Sequence, residues 1–268
     1  MVSETKFYEN VASLKFLAKK EVGQNFLVDA SVCKRIAEAL DLQEGERVLE
    51  IGCGAGSLTY ALANYPNDLD AIDIDEGMLL KATEDFKEVS NVRVQYGNGA
   101  KWDYGPYDKI VGNLPYYITS LLVEQCLLGQ KQAKRMVFMV QKEAATRLLS
   151  TTGSKDYGPL SVLLRLSGEP KRLFGVSRNA FVPVPHVDSS VFAIEMKLKD
   201  TKEAIVGTYE MALKLFLNRR KTLLNNLKGL TPKAEEILAS VGLKETLRPE
   251  NVTPEQYLLL WKAWKEVK

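Results

Sequence analysis

Apolar residues fall in short runs along the first part of the chain, separated by stretches with helical period. Ser31–Leu40 carries Val32, Ile36, Ala39 and Leu40 on one helical face. Apolar runs then read as strands at Arg47–Ile51, Leu69–Ile74, Val92–Tyr96, Lys109–Gly112 and Met136–Val140. Helical patterns occupy Ser57–Ala63, Gly77–Phe86, Ser120–Leu128 and Lys142–Leu149. Leu173–Val176 and Ser190–Leu198 read as a closing pair of strands with an antiparallel member. Such alternation predicts an α/β fold with a mainly parallel sheet of seven strands and helices on both faces. Near Asp200 the pattern becomes helical, over Ala204–Asn225, Pro232–Ser240 and Pro254–Glu266. The last two open on Thr-Pro, a cap followed by a first-turn proline. These changes set a domain boundary at about residue 200, giving an α/β domain over 1–200 and a small helical domain over 201–268.

The first candidate site is the turn after the first long strand, Glu50-Ile51-Gly52-Cys53-Gly54-Ala55-Gly56-Ser57. Its glycines allow positive φ and close approach of the backbone to a ligand, and the helix beyond offers free N–H groups. Two details favour S-adenosyl-L-methionine over a dinucleotide. The spacing is Gly-x-Gly-x-Gly, whereas the dinucleotide fingerprint wants Gly or Ala at Ser57. Glu50 also precedes the turn, where a carboxylate can meet the methionine ammonium. Asp73, at the end of the second strand, is placed to accept two ribose hydroxyls, or else to cap a helix. Asp75 reads as a helix cap. Asn98, after the third strand, is placed to read adenine, or else to make a turn.

The second is Asn113-Leu114-Pro115-Tyr116, at the end of an apolar strand. The lone pair of an adenine amine is delocalised into the ring. Methylating it requires acceptors for both N–H bonds. The Asn113 side-chain oxygen and a backbone carbonyl fixed by Leu114-Pro115 supply them, and Tyr116 offers a face for the base.

Composition narrows the class further. Hydrophobic content of 46% and charged content of 26% suit a globular protein, and no apolar run is long enough for a membrane span. The N-terminus shows no secretory signal. Cys33, Cys53 and Cys126 show neither a metal-ligand nor a disulfide spacing, so no metal is expected and a cytoplasmic location is. Residues 201–268 hold 12 Lys/Arg against 8 Asp/Glu, which leaves the rest of the chain net negative. Basic clusters at Lys15/Lys19/Lys20 and at Arg219-Arg220-Lys221, the latter on an expected helix, are candidate phosphate contacts. The lone His186 reads as a loop residue rather than a base.

With these residues placed, the chain resembles the KsgA-type small-subunit ribosomal RNA adenine-N6,N6-dimethyltransferases along nearly all its length. The likeness rests on Gly23-Gln24-Asn25-Phe26-Leu27, the Asn113–Tyr116 tetrapeptide and Gln141-Lys142-Glu143. Tyr157–Val162, Phe181–Ser189 and Arg219-Arg220-Lys221-Thr222 extend it. The resemblance implies a Rossmann-like class I methyltransferase domain with a helical RNA-binding C-terminal domain; a monomer is expected, since one copy suffices for the site. It implies transfer of two methyls from S-adenosyl-L-methionine to each of two adjacent adenosines near the 3′ end of 16S-type rRNA. By position, Asn25, Leu27, Gly52, Asp73, Asn98 and Asn113 would contact the donor, while Tyr116 and Phe181 would sandwich the flipped base. There are departures. Cys53 replaces a proline, Asp73 stands where Glu is commoner, and His186 where Lys or Arg is common. Asn98 replaces an Asp, which is expected to weaken the donor contact by about 1 kcal/mol. Competing readings are the erythromycin-resistance methyltransferases of large-subunit rRNA, a non-catalytic assembly factor that kept the fold, and a Rossmann dehydrogenase.

Overall fold

The computed structural model describes residues 2–18 and 24–267; Lys19, Lys20 and Gly23 lie outside the described residues. In chain order the elements begin with α1 (Glu4–Ser13), β1 (Phe26–Leu27), α2 (Ala30–Ala39), β2 (Arg47–Ile51), α3 (Ser57–Leu62) and β3 (Asp68–Asp73). Next come α4 (Glu76–Phe86), β4 (Val92–Tyr96), β5 (Lys109–Asn113), α5 (Thr119–Gly129), β6 (Arg135–Gln141) and α6 (Lys142–Leu148). They continue with α7 (Pro159–Ser167), β7 (Gly168–Val176), β8 (Phe181–Val182) and β9 (Ser189–Met196). The last are α8 (Lys202–Phe216), α9 (Leu223–Leu227), α10 (Ala234–Ser240) and α11 (Pro254–Val267).

Seven strands form one sheet in the order β4-β3-β2-β5-β6-β9-β7. The first five pair in parallel, and β9 runs antiparallel to β6. Ile110 and Val111 of β5 and Met136–Val140 of β6 are fully buried, because helices cover both faces of a parallel sheet. This is the expected α/β architecture. β1 and β8 make a separate antiparallel ribbon that joins Leu27 to Phe181.

The chain divides into two compact units. One comprises the chain up to Ala145 together with Lys171–Glu195 and holds most of the sheet. The other comprises Thr146–Pro170 and the chain from Met196 onward, so it includes a segment that lies before the expected boundary at 200. The reason is α7. Its Val162, Leu163, Leu164 and Leu166 are all fully buried, and it packs on α8 and α11. Its partners α8 and α11 lie far along the chain, so the local pattern does not say which unit it joins. The expected helix over Ala204–Asn225 is broken, with α8 ending at Phe216 and α9 starting at Leu223 behind the Thr222 cap, whose side chain accepts the Asn225 N–H at 3.3 Å. Thr253 and Gln256 form a reciprocal capping box at the start of α11 (2.9 and 3.2 Å).

Gly207 of α8 carries the indole of Trp261. A Cβ there would lie 2.3 Å from Nε1. Helix propensity favours Ala over Gly by about 1 kcal/mol, whereas overpacking a filled site costs about 1–3 kcal/mol. Gly207→Ala is therefore expected to lower the urea midpoint, and a raised midpoint would show that Trp261 moves aside freely.

Candidate active site

Parallel pairing brings the C-terminal ends of β2, β3 and β5 to one edge, since Ile51 stands opposite both Ile72 and Gly112. The approach of β2 to β5 is tight at Gly112, where a Cβ would lie 2.7 Å from the Ile51 carbonyl oxygen and 2.7 Å from Leu114 Cδ2. Any side chain at that position would push the two strand ends apart.

Beyond β2 the chain turns sharply. The Gly52 and Cys53 N–H groups both donate to the Ile72 carbonyl (2.8 and 3.1 Å), and the Gly56 N–H donates to the Cys53 carbonyl (2.8 Å). Gly52, Gly54 and Gly56 have φ of +75°, +52° and +85°, a region that disfavours any side chain. A Cβ on Gly54 would meet nothing within 4 Å, so this backbone faces open space. A Cβ on Gly56 would lie 2.5 Å from Phe86. Phe86 packs at a tilt against Phe7, with ring centroids 5.9 Å apart, and Tyr8 donates to the Ser57 carbonyl at 2.9 Å, so α1 braces the turn. The apolar pattern does not predict α1, of which only Phe7, Tyr8 and Val11 are buried.

Most of the expected residues line one cavity. Asn25, Leu27, Glu50, Gly52, Gly54 and Asp73 meet Asn113, Leu114, Pro115, Tyr116 and Phe181 there. Glu50 is almost wholly buried, and its Oε2 accepts from Thr59 Oγ1 at 2.6 Å. Burial, reinforced by the charge of Asp73, pushes its carboxyl up to about 8. Asp73 accepts the Gly54 N–H on one oxygen (2.8 Å) and the Asp75 N–H on the other (2.9 Å). Burial raises its carboxyl despite these bonds. Asp75 caps α4 through the Gly77 and Met78 N–H groups and also accepts from Gln24 Nε2 at 3.1 Å. Leu114 is anchored by its N–H to the Met139 carbonyl (3.0 Å), and the Pro115 carbonyl accepts from the Ile118 N–H (3.2 Å) and Thr119 Oγ1 (3.0 Å). The hydroxyl of Tyr116 lies 3.0 Å from that of Ser189.

Two expectations end elsewhere. Asn98 is exposed and is not among the cavity's lining residues; its Oδ1 accepts the Ala100 N–H at 2.9 Å and caps a turn. The basic segment 219–221 lies in the turn between α8 and α9, not on a helix. Arg219 points inward there, donating to the Ser154 carbonyl (3.0 Å) and pairing with Glu250 (3.5 Å). Arg220 and Lys221 are exposed. Lining residues to which the sequence reading gave no role include Leu58, Ile74 and Tyr117. Ile74 is half exposed at the cavity despite being apolar, and its position directly after Asp73 was the available signal. Among the described residues no group of three or more His, Cys, Asp or Glu could hold a metal, and no helix is long and apolar enough to cross a membrane.

The set fits S-adenosyl-L-methionine. Two carboxylates without a cationic partner among the described residues face a glycine turn, beside an exposed apolar side chain. The Glu50 value of about 8 also fixes a sign for stability. The folded value lies above the unfolded one, so the stabilisation is full below about pH 4.3 and is lost as pH rises to 8. Glu50→Gln is expected to flatten this part of the pH–stability curve, measured as urea midpoints at pH 5, 7 and 9. An unchanged slope would mean that Glu50 does not titrate in this range.

Known proteins are similar to this chain along most of its length. Residues 15–266 match the ribosomal RNA adenine dimethylase family. The chain is 35% identical over 262 residues to ribosomal RNA small subunit methyltransferase A of Malacoplasma penetrans, covering 95% of each. Among solved structures, a dimethyladenosine transferase from Plasmodium falciparum superposes with a TM-score of 0.76 at 24% identity, over 89% of this chain and 96% of that one. The 23S rRNA methyltransferase ErmE superposes with a TM-score of 0.68 at 27% identity, over 90% of this chain and 99% of that one. On the family match and the full-length relative, the chain belongs to the ribosomal RNA adenine dimethylase family.

Proposed function

We propose that the protein transfers methyl groups from S-adenosyl-L-methionine to N6 of two adjacent adenosines near the 3′ end of small-subunit rRNA, giving N6,N6-dimethyladenosine. The observation that carries this reading is that the glycine turn, Glu50 and Asp73 share one cavity with Asn113–Tyr116. The bound donor supplies an electrophilic methyl on a sulfonium. Glu50 holds its ammonium, Asp73 its ribose hydroxyls, and Ile74 offers the apolar face for its adenine. Asn25 and Leu27 close the cavity from the β1 side. With Asn98 occupied in a turn, adenine is held here without an acidic reader.

On the acceptor side, the Asn113 oxygen and the Leu114 carbonyl take the two N6–H bonds and turn the nitrogen lone pair toward the methyl. Tyr116 and Phe181 flank the flipped base, and stacking offsets its unstacking by about 1–3 kcal/mol per aromatic. The N–C bond forms as the C–S bond breaks, with its electron pair going to sulfur, and the amine proton passes to water. Arg220 and Lys221 reach RNA phosphates; Arg219 instead orders the turn that carries them. The basic pair at Lys19 and Lys20 is proposed for the same role on charge alone. All site residues come from one chain, so a monomer in the cytoplasm suffices.

Small-subunit RNA is favoured over large-subunit RNA by the relatives. Identity is 35% with the small-subunit enzyme and 27% with the 23S enzyme. Labelled methyl is expected to appear as dimethyladenosine in undermethylated small subunits and not in free large-subunit RNA. Asn113→Ala should slow transfer about 10²- to 10³-fold, the usual effect of losing one placed polar group. Label on large-subunit RNA alone would make the 23S reading the correct one.

The ammonium of the donor also stabilises ionised Glu50, whose carboxyl stands at about 8 when alone. Donor binding near pH 7 is therefore expected to release a proton and to tighten as pH rises toward 8. Calorimetry in two buffers of different ionisation heat measures this, and Glu50→Gln should abolish it. Binding without proton release would remove Glu50 from the ammonium site.

A further inference from the structure

We propose that Tyr117 is a positioning residue that stacks on the nucleotide flanking the target adenosine, holding the neighbouring base while the target is turned into the cavity. The inference rests on the methyl-transfer reading above and concerns a residue that the reaction scheme does not use. Tyr117 lines the cavity yet is 62% exposed, so its ring stands at the mouth. Its neighbour Tyr116 is half buried and tied through its hydroxyl to Ser189 at 3.0 Å. The Tyr117 hydroxyl makes no hydrogen bond among the described residues, in contrast to Tyr8, Tyr104, Tyr107, Tyr157 and Tyr257, whose hydroxyls all anchor the fold. Exposed rings normally contribute little to stability, whereas the backbone under this one is firmly held. Pro115 accepts from Ile118 and Thr119, and Thr119 opens α5. The result is a flat apolar face on a rigid mount beside the entrance.

Flipping one of two adjacent adenosines strips its neighbour of a stacking partner. A ring at the entrance replaces that partner without regard to base identity. The same platform would hold whichever adenosine is waiting its turn, so its loss bears on the second modification as well as on the first.

The test uses the full chain and undermethylated small subunits. Tyr117→Ala is expected to raise KM about 5- to 100-fold, the range for one lost stacking contact. It should leave kcat and donor affinity within about twofold and increase the share of product modified at only one adenosine. Tyr117→Phe and Tyr117→Trp should restore KM, since the face and not the hydroxyl is used. A Tyr117→Ala enzyme with unchanged KM and product pattern would overturn the inference while leaving the methyl-transfer reading intact. Failure of Phe and Trp to rescue would also overturn it, by pointing to the hydroxyl or to loop structure. A wild-type enzyme inactive on small subunits would overturn the parent reading and this inference with it.

Discussion

The site depends on how closely β2 can lie beside β5. Parallel strands that start in register also finish in register, so whatever follows Ile51 is delivered next to whatever follows Gly112. The absence of a side chain at Gly112 sets the spacing, with the Ile51 carbonyl and Leu114 filling the volume that a Cβ would need. The glycine turn and the Asn113–Tyr116 tetrapeptide are thus two continuations of one strand pair. Their separation is fixed by main-chain hydrogen bonds rather than by flexible side chains.

The two ends of the sheet treat charge in opposite ways. Away from the cavity, buried Glu46 is paired with Lys109 (3.7 Å) and Lys134 (3.0 Å), and buried Asp70 with Arg93 (2.6 Å) and Arg47 (3.4 Å). At the cavity, Glu50 and Asp73 have only hydroxyl and backbone donors among the described residues. A protein built for stability alone would have paired these acids or replaced them with apolar residues. Leaving them uncompensated keeps acceptor oxygens for a cationic ligand, whose arrival draws the proton from Glu50, and raised carboxyl values are the physical record of that choice.

How much was legible in the sequence follows the range of each cause. Strand period, glycine turns and the Asn113–Tyr116 chemistry are local, and these elements lie within a residue or two of where the pattern puts them, except that β7 begins at Gly168 rather than Leu173. Arg219 is different, because its partners Ser154 and Glu250 are far away in sequence and nothing near it says that it turns inward. The break at Leu217 is similar, since apolar spacing continues across it while the backbone does not. Asn98 sits at the expected strand end, but an Asn there satisfies its own turn, and local bonding of this kind competes with ligand reading. Tyr117 was passed over because a second tyrosine beside the first adds no new residue type to the motif; only its exposure separates the two.

The ribbon of β1 and β8 has a consequence of a different kind. Two residues pair with two, and one further bond, from the Val28 N–H to the Ala180 carbonyl at 2.9 Å, extends it. This short seam carries Leu27 and Phe181 on one wall of the cavity, while the opposite wall belongs to the seven-stranded sheet. Opening the seam would break few hydrogen bonds but would also unpack Phe26, Leu27 and Phe181 from the apolar core, whereas moving β5 would break two full ladders. One wall of the cavity is thus held by main-chain ladders and the other by side-chain packing. The two walls answer to different substitutions, the first to added volume at Gly112 and the second to lost volume at Leu27 or Phe181.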